Sequence, residues 1–183
     1  DSIYIGSDWG MDILNLKTQR VTNYSLFPPK NPGDFPVSIV GMAKGENKSI
    51  WFFEKGSMNA LVTLNPRTGE KKIYAAENLL KDKNCVGLCK MKDESFWLPT
   101  TDKGIQSIDP KNNSCYFMLA DSANPNSISS NHVNNLFLDS KGRLWASTDK
   151  GLNCIDPITG NVKHYRLSLT DSASIPSDDV NGV

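Results

Sequence analysis

The sequence predicts an all-β fold built from repeated four-stranded antiparallel meanders, and three observations support this prediction. Related stretches of the chain recur at an interval of 47 residues. Within a repeat, apolar and polar residues alternate with a period of two, which is the period of a β-strand. Each alternating segment is short and ends at Gly, Pro, Asn or Asp, the residues that favour turns.

The repeats are clearest in the second half of the chain. Residues 133–157 align with residues 86–110 so that the motifs TDKG and IDP coincide, each displaced by 47 residues. The same displacement carries residues 127–134 onto 174–181, so a further copy begins there. Two more copies precede, and one aromatic residue per copy keeps the phase. These anchors, separated by 47, 46 and 48 residues, are Tyr4, Trp51, Trp97 and Trp145.

Each element of a repeat follows from this pattern. In the last complete repeat the predicted strands are Val133–Leu138, Leu144–Ser147, Leu152–Ile155 and Val162–Leu167. Hairpin turns are predicted at Asp139–Gly142 and Asp156–Gly160. Repeats of roughly 40 to 50 residues with four strands and one fixed Trp are typical of β-propeller blades. We therefore predict propeller blades, about four repeats in all.

The repeat phase also predicts the boundaries within a single propeller segment. The predicted parts are the end of one blade at 1–35, blades at 36–83, 84–130 and 131–177, and the first strand of the next blade at 178–183. Because propellers have about four to eight blades, we expect a slice of a larger ring. Closure of four blades and pairing of two chains into one ring are the alternatives. Open strand edges predict association of such a slice.

Residues 127–160 carry a pattern that resembles a known family. The stretch SISSNHVNNLFLDSKGRLWASTDKGLNCIDPITG closely resembles the two-component regulator propeller repeat, which builds the periplasmic sensor region of Bacteroides-type hybrid two-component system proteins. The resemblance weakens upstream, where Leu98–Thr101 replaces a small segment of the family pattern.

This resemblance implies a function and partners. It implies a periplasmic ligand-sensing segment of an inner-membrane hybrid histidine kinase/response regulator, which detects a carbohydrate and signals for glycan-utilisation gene expression. The implied partners are an oligosaccharide or other small ligand, and the rest of the propeller and the kinase of the same protein. A homodimer is implied for the full-length protein.

Composition narrows the classes of function. Twenty Lys and Arg balance twenty Asp and Glu, so the chain lacks the positive charge of a nucleic-acid binder. The hydrophobic fraction of 38% and the charged fraction of 22% are those of a globular domain. No apolar run is long enough to span a bilayer.

No catalytic constellation is visible in the sequence. The two histidines, His132 and His164, are too far apart to indicate a zinc site, and no G-x-S-x-G motif occurs. Asp109 and Asp156 precede Pro in equivalent turns, which indicates turn formation. We predict no catalytic residue, metal or cofactor. The alternatives are a propeller enzyme resembling streptogramin lyase, for which His132 is the candidate, and a general protein-interaction propeller.

The four cysteines are predicted to be free thiols. Cys89 aligns with Leu136 and Cys115 with Val162, so both are expected to be buried as small apolar residues. Cys85 aligns with His132 at a strand entrance, where we expect it to be exposed. Cys154 is the fourth cysteine.

A ligand site is predicted on one face of the blades. In a propeller meander, the loops that enter the first strand and those that join the second and third strands lie together at the central mouth. The residues at these positions are Asp8, Trp9, Asn84, Asp102, Lys103, Asn131, His132, Asp149, Lys150 and Asp179. Trp9 and His132 depart from the repeat and are the first candidates. For the Asp-Lys turns, a tight turn with a solvated Lys is the alternative. The anchors Trp51, Trp97 and Trp145 are predicted to lie in the core.

Overall fold

The computed structural model describes residues 2–24, 37–56, 59–74 and 84–183, and it confirms the predicted all-β fold of antiparallel propeller blades. Every sheet is a meander in which each strand pairs with the next along the chain. The chain divides into two compact units, Asp1–Lys83 and Asn84–Val183. None of the described residues belongs to a helix with the length and apolar character that a membrane crossing requires.

The first unit holds two sheets and one turn of 3-10 helix, Glu46–Lys48. Its three-stranded sheet consists of β1 (Ser2–Ser7), β2 (Gly10–Asn15) and β3 (Arg20–Tyr24). Its four-stranded sheet consists of β4 (Ser38–Lys44), β5 (Ile50–Lys55), β6 (Ala60–Leu64) and β7 (Lys71–Tyr74). Apolar side chains of both sheets, such as Met11, Ile39 and Phe52, form its core.

The second unit holds two four-stranded sheets. The first consists of β8 (Cys89–Lys90), β9 (Phe96–Pro99), β10 (Ile105–Asp109) and β11 (Ser114–Met118). The second consists of β12 (Val133–Leu138), β13 (Leu144–Thr148), β14 (Gly151–Ile155) and β15 (Val162–Tyr165). The first three predicted strands of this last sheet agree with the structure to within one residue at each end. The fourth ends two residues early, because the Leu167 N–H donates to Asp178 Oδ1 instead of to β14.

Residues 178–183 carry no assigned strand. A strand is defined by its hydrogen-bonded partner, and β12–β15 is already complete. The prediction that these residues form the first strand of a further blade stays a prediction.

The anchor tryptophans differ in burial although they occupy the same repeat position. Trp97 is 3% exposed because it lies in the core between the two sheets of the second unit. Trp145 is half-buried, on the face of β12–β15 that it shares with the exposed Phe137. Trp51 in the first unit is also half-buried. The predicted core role therefore holds fully for Trp97, since burial depends on a covering sheet and not on the repeat position.

The cysteines depart from the sequence prediction at two positions. Cys85, which we expected to be exposed, is 0% exposed, and its backbone forms an isolated antiparallel β-bridge with Thr100, which is also buried. Cys115, which we expected to be buried, is half-buried. Cys89 is buried as expected, and this burial raises the pKa of its thiol to about 11. Cys89 pairs with Trp97 across the sheet, and in the next repeat Phe137 pairs with Trp145. The structural equivalent of Cys89 is therefore Phe137, one position away from the predicted Leu136.

Asp139 fixes the turn between β12 and β13. Its Oδ2 accepts hydrogen bonds from the indole Nε1–H of Trp145 at 3.0 Å and from Arg143 Nε–H at 2.8 Å. Its Oδ1 accepts from the backbone N–H groups of Lys141 and Arg143. These bonds, the one from Trp145 above all, hold the pKa of Asp139 well below its usual range.

We predict that replacing Asp139 makes the stability of the fold less sensitive to a fall in pH. A carboxylate with a lowered pKa in the folded state stabilises the fold above its unfolded pKa of about 3.9 and loses this effect as the pH falls further. Asp139→Asn should therefore melt at a lower temperature than the wild type at neutral pH, and the difference should shrink below pH of about 4. Melting curves across pH measure this. A difference that persists unchanged at low pH would contradict the role of the charge.

We also predict that replacing Gly104 destabilises the fold. Gly104 has a φ of +67°, and a Cβ there would overlap the carbonyl oxygen of Met118. Gly104→Ala should lower the free energy of unfolding by about 2–4 kcal/mol, from left-handed strain plus overlap. Gly160 is the matched control, since its φ is +74° but nothing lies within 4 Å of the point that a Cβ would occupy. Gly160→Ala should cost about 1 kcal/mol, and equal melting points for both variants would contradict the steric account.

Candidate functional site

In the second unit, the turn between β9 and β10 lies against the segment that enters β12. The Gly104 N–H donates to the Asn131 carbonyl oxygen at 2.8 Å, and the Val133 N–H donates to the Thr100 carbonyl oxygen at 2.9 Å. We refer to such a pair as the entrance hydrogen bonds. They bring the turn residues Asp102 and Lys103 beside Asn131 and His132.

The same arrangement recurs one repeat later. The Gly151 N–H donates to the Asp178 carbonyl oxygen at 2.6 Å, and the Val180 N–H donates to the Thr148 carbonyl oxygen at 3.0 Å. These bonds bring Asp149 and Lys150 beside Asp179. Predicted turn and entrance residues of the second unit therefore do lie together, once in each repeat.

Threonine hydroxyls hold both turns in shape. The Thr100 hydroxyl donates to the Gly104 carbonyl oxygen at 2.9 Å and accepts from the Lys103 N–H. The Thr148 hydroxyl makes the equivalent bonds to Gly151 and Lys150. The sequence alignment pairs Thr101 with Thr148, but the hydrogen bonds pair Thr100 with it, because the β9–β10 turn has one extra residue.

The side chain of Asn131 is already engaged by the fold. Its Oδ1 accepts from the Ala120 N–H at 2.7 Å, as Asp178 Oδ1 accepts from the Leu167 N–H at 2.7 Å. Among the described residues, His132 in contrast bonds through its backbone N–H alone, which donates to Ser130 Oγ, and its side chain is exposed. The ligand-binding roles of both residues stay predictions, and the geometry leaves His132 the more available.

The first unit carries the equivalent turn at Asp8 and Trp9. Gly10 has a φ of 114° and Gly151 a φ of 113°, so Trp9 occupies the position of Lys150. Its side chain is 75% exposed, while its N–H donates to Ser7 Oγ. Asp8 Oδ1 accepts from the Ser38 hydroxyl at 2.8 Å, which ties this turn to the start of β4. Trp9 is therefore a surface residue and takes no part in the core.

The remaining candidate, Asn84, is exposed and directly precedes the bridge between Cys85 and Thr100. Exposed carboxylate, amide, ammonium and imidazole groups thus surround these turns. Such groups donate to and accept from hydroxyls, which suits the recognition of a polyhydroxylated ligand.

A buried polar cluster beneath the Asp149–Lys150 turn was not predicted from the sequence. The amide of Asn153, which is 0% exposed, accepts from the Ser129 N–H and donates to Ser129 Oγ and to the Ala146 carbonyl oxygen. Ser129 Oγ also lies 2.9 Å from Thr148 Oγ1. This cluster fixes Ser129, in the segment between β11 and β12, under the turn. Only the lone Asn inside an otherwise apolar strand signals it in the sequence.

The described ranges contain no group of three or more His, Cys, Asp or Glu side chains placed to hold a metal ion. His164 Nε2 lies 2.8 Å from the Ser127 carbonyl oxygen, which gives this histidine a structural partner in the segment between β11 and β12.

Residues 127–150 match the family model described as the two component regulator propeller, which confirms the resemblance to these repeats. No curated protein sequence matches the chain.

Solved structures share the fold over nearly the whole chain. The extracellular domain of a one-component system of B. thetaiotaomicron is 18% identical, with a TM-score of 0.68, and the match covers 100% of this chain and 23% of that domain. The extracellular domain of a hybrid two-component system of the same organism is 17% identical, with a TM-score of 0.70, and the match covers 91% of this chain and 22% of that domain.

A lyase also shares the fold. Virginiamycin B lyase from Staphylococcus aureus is 17% identical, with a TM-score of 0.58, and the match covers 91% of this chain and 55% of the lyase. The chain thus spans less than a quarter of the length of these two extracellular domains. At these identities the likeness establishes the propeller fold and nothing finer.

We predict that the side chain of Asn131 stabilises the blade. Asn131→Ala removes the acceptor for the Ala120 N–H and should lower the free energy of unfolding by about 1 kcal/mol. Asn131→Asp is the matched control, because Asp178 performs this role natively in the next repeat. Chemical denaturation of both variants measures the effect. Equal destabilisation by Asn131→Ala and Asn131→Asp would show that the Oδ1 hydrogen bond does not account for the loss of stability.

Proposed function

We propose that this chain is a ligand-sensing propeller segment of a hybrid two-component histidine kinase/response regulator. In this proposal it lies in the periplasm as part of a larger propeller, detects a carbohydrate, and passes the signal to the kinase of the same protein for glycan-utilisation gene expression. The full-length protein acts as a homodimer. The observation that carries the proposal is the match of residues 127–150 to the two component regulator propeller.

The turns and entrance segments support a binding role. Their exposed side chains are Asp, Asn, Lys and His, and their backbones are fixed by the entrance hydrogen bonds and by threonine hydroxyls. A rigid frame that presents adaptable polar side chains is a frequent design of binding loops. In the first unit, the 75% exposed Trp9 presents an aromatic face of its own, on which the apolar side of a sugar ring can stack.

A lyase activity is the second candidate, because virginiamycin B lyase shares the fold at a TM-score of 0.58. The described residues offer it one exposed histidine, His132, whose entrance segment lies beside Asp102. General acid–base catalysis needs an acid or base placed against the reacting bond. The two candidates differ in outcome, because a lyase releases product whereas a sensor only binds its ligand.

We predict that a carbohydrate stabilises the chain without being turned over. A panel of oligosaccharides should include one that raises the melting temperature, since a ligand that binds only the folded state stabilises it. Trp9→Ala should abolish this shift and leave the melting temperature of the free protein nearly unchanged, because the side chain is 75% exposed.

Ile158→Ala provides the control, as this side chain is 94% exposed and lies in the β14–β15 turn, outside the candidate set. It should leave both the free melting temperature and the shift intact. Chromatography of the incubated oligosaccharide checks for products. Product release that His132→Ala abolishes would favour the lyase and contradict the sensor.

A further inference from the structure

A groove lies between the two sheets of the first unit, at the opposite end of β1 from the Asp8–Trp9 turn. Its volume is about 830 Å³, within the range of small-molecule sites. One wall comes from Tyr4 and Ile13, and the other from Met42, Lys44, Lys48 and Arg67. We refer to it as the cationic groove, because the described residues that line it include three cations and no acid.

The three cations come from separate segments with fixed backbones. Lys44 ends β4. Lys48 has a φ of 65° in a turn closed by the Gly45 N–H bond to the Ser49 carbonyl oxygen and by the Ser49 hydroxyl bond to the Glu46 carbonyl oxygen. Arg67 lies in a turn whose N–H groups donate to Asn65 Oδ1. No ion pair to a carboxylate among the described residues involves any of the three.

The neighbouring repeats show that this charge is specific to the second sheet. By strand pairing, Lys44 and Lys48 correspond to Lys90 and Glu94, which form an ion pair at 2.6 Å. The turn position is the same, since Glu94 has a φ of 71°. Replacing Glu by Lys there exchanges an ion pair for two like charges, and a bound anion would lower the repulsion between them.

Two further carboxylates are absent from this end of the second sheet. Asn65 stands where the later repeats have Asp109 and Asp156, as the shared turn hydrogen bonds show. Gly45 stands where the last repeat has Asp139, the partner of Arg143.

The acids that remain in these turns do not neutralise the groove. Glu46 and Glu70 lie in the same two turns, are exposed, and do not line the groove. The backbone is therefore that of the two later repeats, while Lys48, Asn65 and Gly45 stand where those repeats carry carboxylates.

We propose that the cationic groove binds an acidic oligosaccharide, with carboxylate or sulfate groups on Lys44, Lys48 and Arg67. Arginine and lysine donate charge-assisted hydrogen bonds to such anions. The half-buried Tyr4 ring and the side chains of Ile13 and Met42 supply the apolar surface that the faces of pyranose rings need. This site is separate from the Asp8–Trp9 turn and does not depend on the function proposed above.

Calorimetric titration at low salt tests the proposal. The probes are trigalacturonate, which carries carboxylates, a sulfated chondroitin tetrasaccharide, neutral maltotriose of similar size, and inorganic sulfate. At least one acidic saccharide should bind, more weakly as salt is raised, while maltotriose should not. The tighter of the two acidic probes identifies the anionic group. Binding of inorganic sulfate as tight as that of both saccharides, or binding of neither saccharide, would overturn the proposal.

Lys48→Glu is the decisive variant, because it recreates the ion pair that Lys90 and Glu94 form natively and so should fold. It should weaken binding of the acidic saccharide by about tenfold or more, the worth of one hydrogen bond to a charged group. Arg67→Gln, in an exposed turn, should do the same with less change in charge.

Lys141→Glu is the matched control, since it makes the same change of net charge in the exposed β12–β13 turn. Neither it nor Trp9→Ala should alter binding in the cationic groove. Equal weakening by Lys141→Glu would indicate a general charge effect and overturn the site. Loss of binding in Trp9→Ala alone would instead place the acidic saccharide at the Asp8–Trp9 turn, which also overturns it.

Discussion

The second unit depends on the hydrogen bonds by which each entrance segment holds the turn of the preceding sheet. Gly104 and Val133 make them in one repeat, and Gly151 and Val180 make them in the next. A four-stranded sheet satisfies its own backbone groups except at its edges and turns. These bonds satisfy the turn groups with the next repeat, so the position of each turn relative to the following strand is fixed by backbone geometry.

Glycine lets each of these turns lie close against the last strand of its own sheet. At Gly104 and Gly151 the backbone has a positive φ, and a Cβ would meet the carbonyl oxygen of Met118 or Tyr165. The close approach of two backbones leaves no room for a side chain. The residues just before each glycine are exposed and free to differ, as Lys103, Lys150 and the equivalent Trp9 do. Each glycine thus fixes the backbone of the turn, while the exposed residue before it can vary between repeats.

At the other end of the strands, in the turn between the first and second strands, the backbone is the same in each repeat but the charge of the side chains differs. The turn between first and second strands contains Lys48, Glu94 or Gly142 at the same left-handed position. Its partner on the first strand is Lys44 or Lys90 in the first two cases. One repeat is thus internally neutralised at this position, while another presents two ammonium groups beside a groove that no described carboxylate lines. Differences between copies of one backbone are where a repeat protein can acquire a binding preference.

The sequence by itself determined the repeats, the strands and the turns, because period-two alternation and turn-forming residues are local properties of the chain. It predicted β12 as Val133–Leu138 to the residue, and it placed Asp102 and Asn131 near each other from blade topology. Tertiary structure decided what covers each strand. Trp97 and Trp145 share one repeat position, yet only Trp97 lies in the core between two sheets. Cys85 is buried although its repeat position predicted exposure, and the cationic groove exists because three separate segments meet. Burial and convergence of charge depend on contacts between residues distant in the chain, which no local pattern encodes.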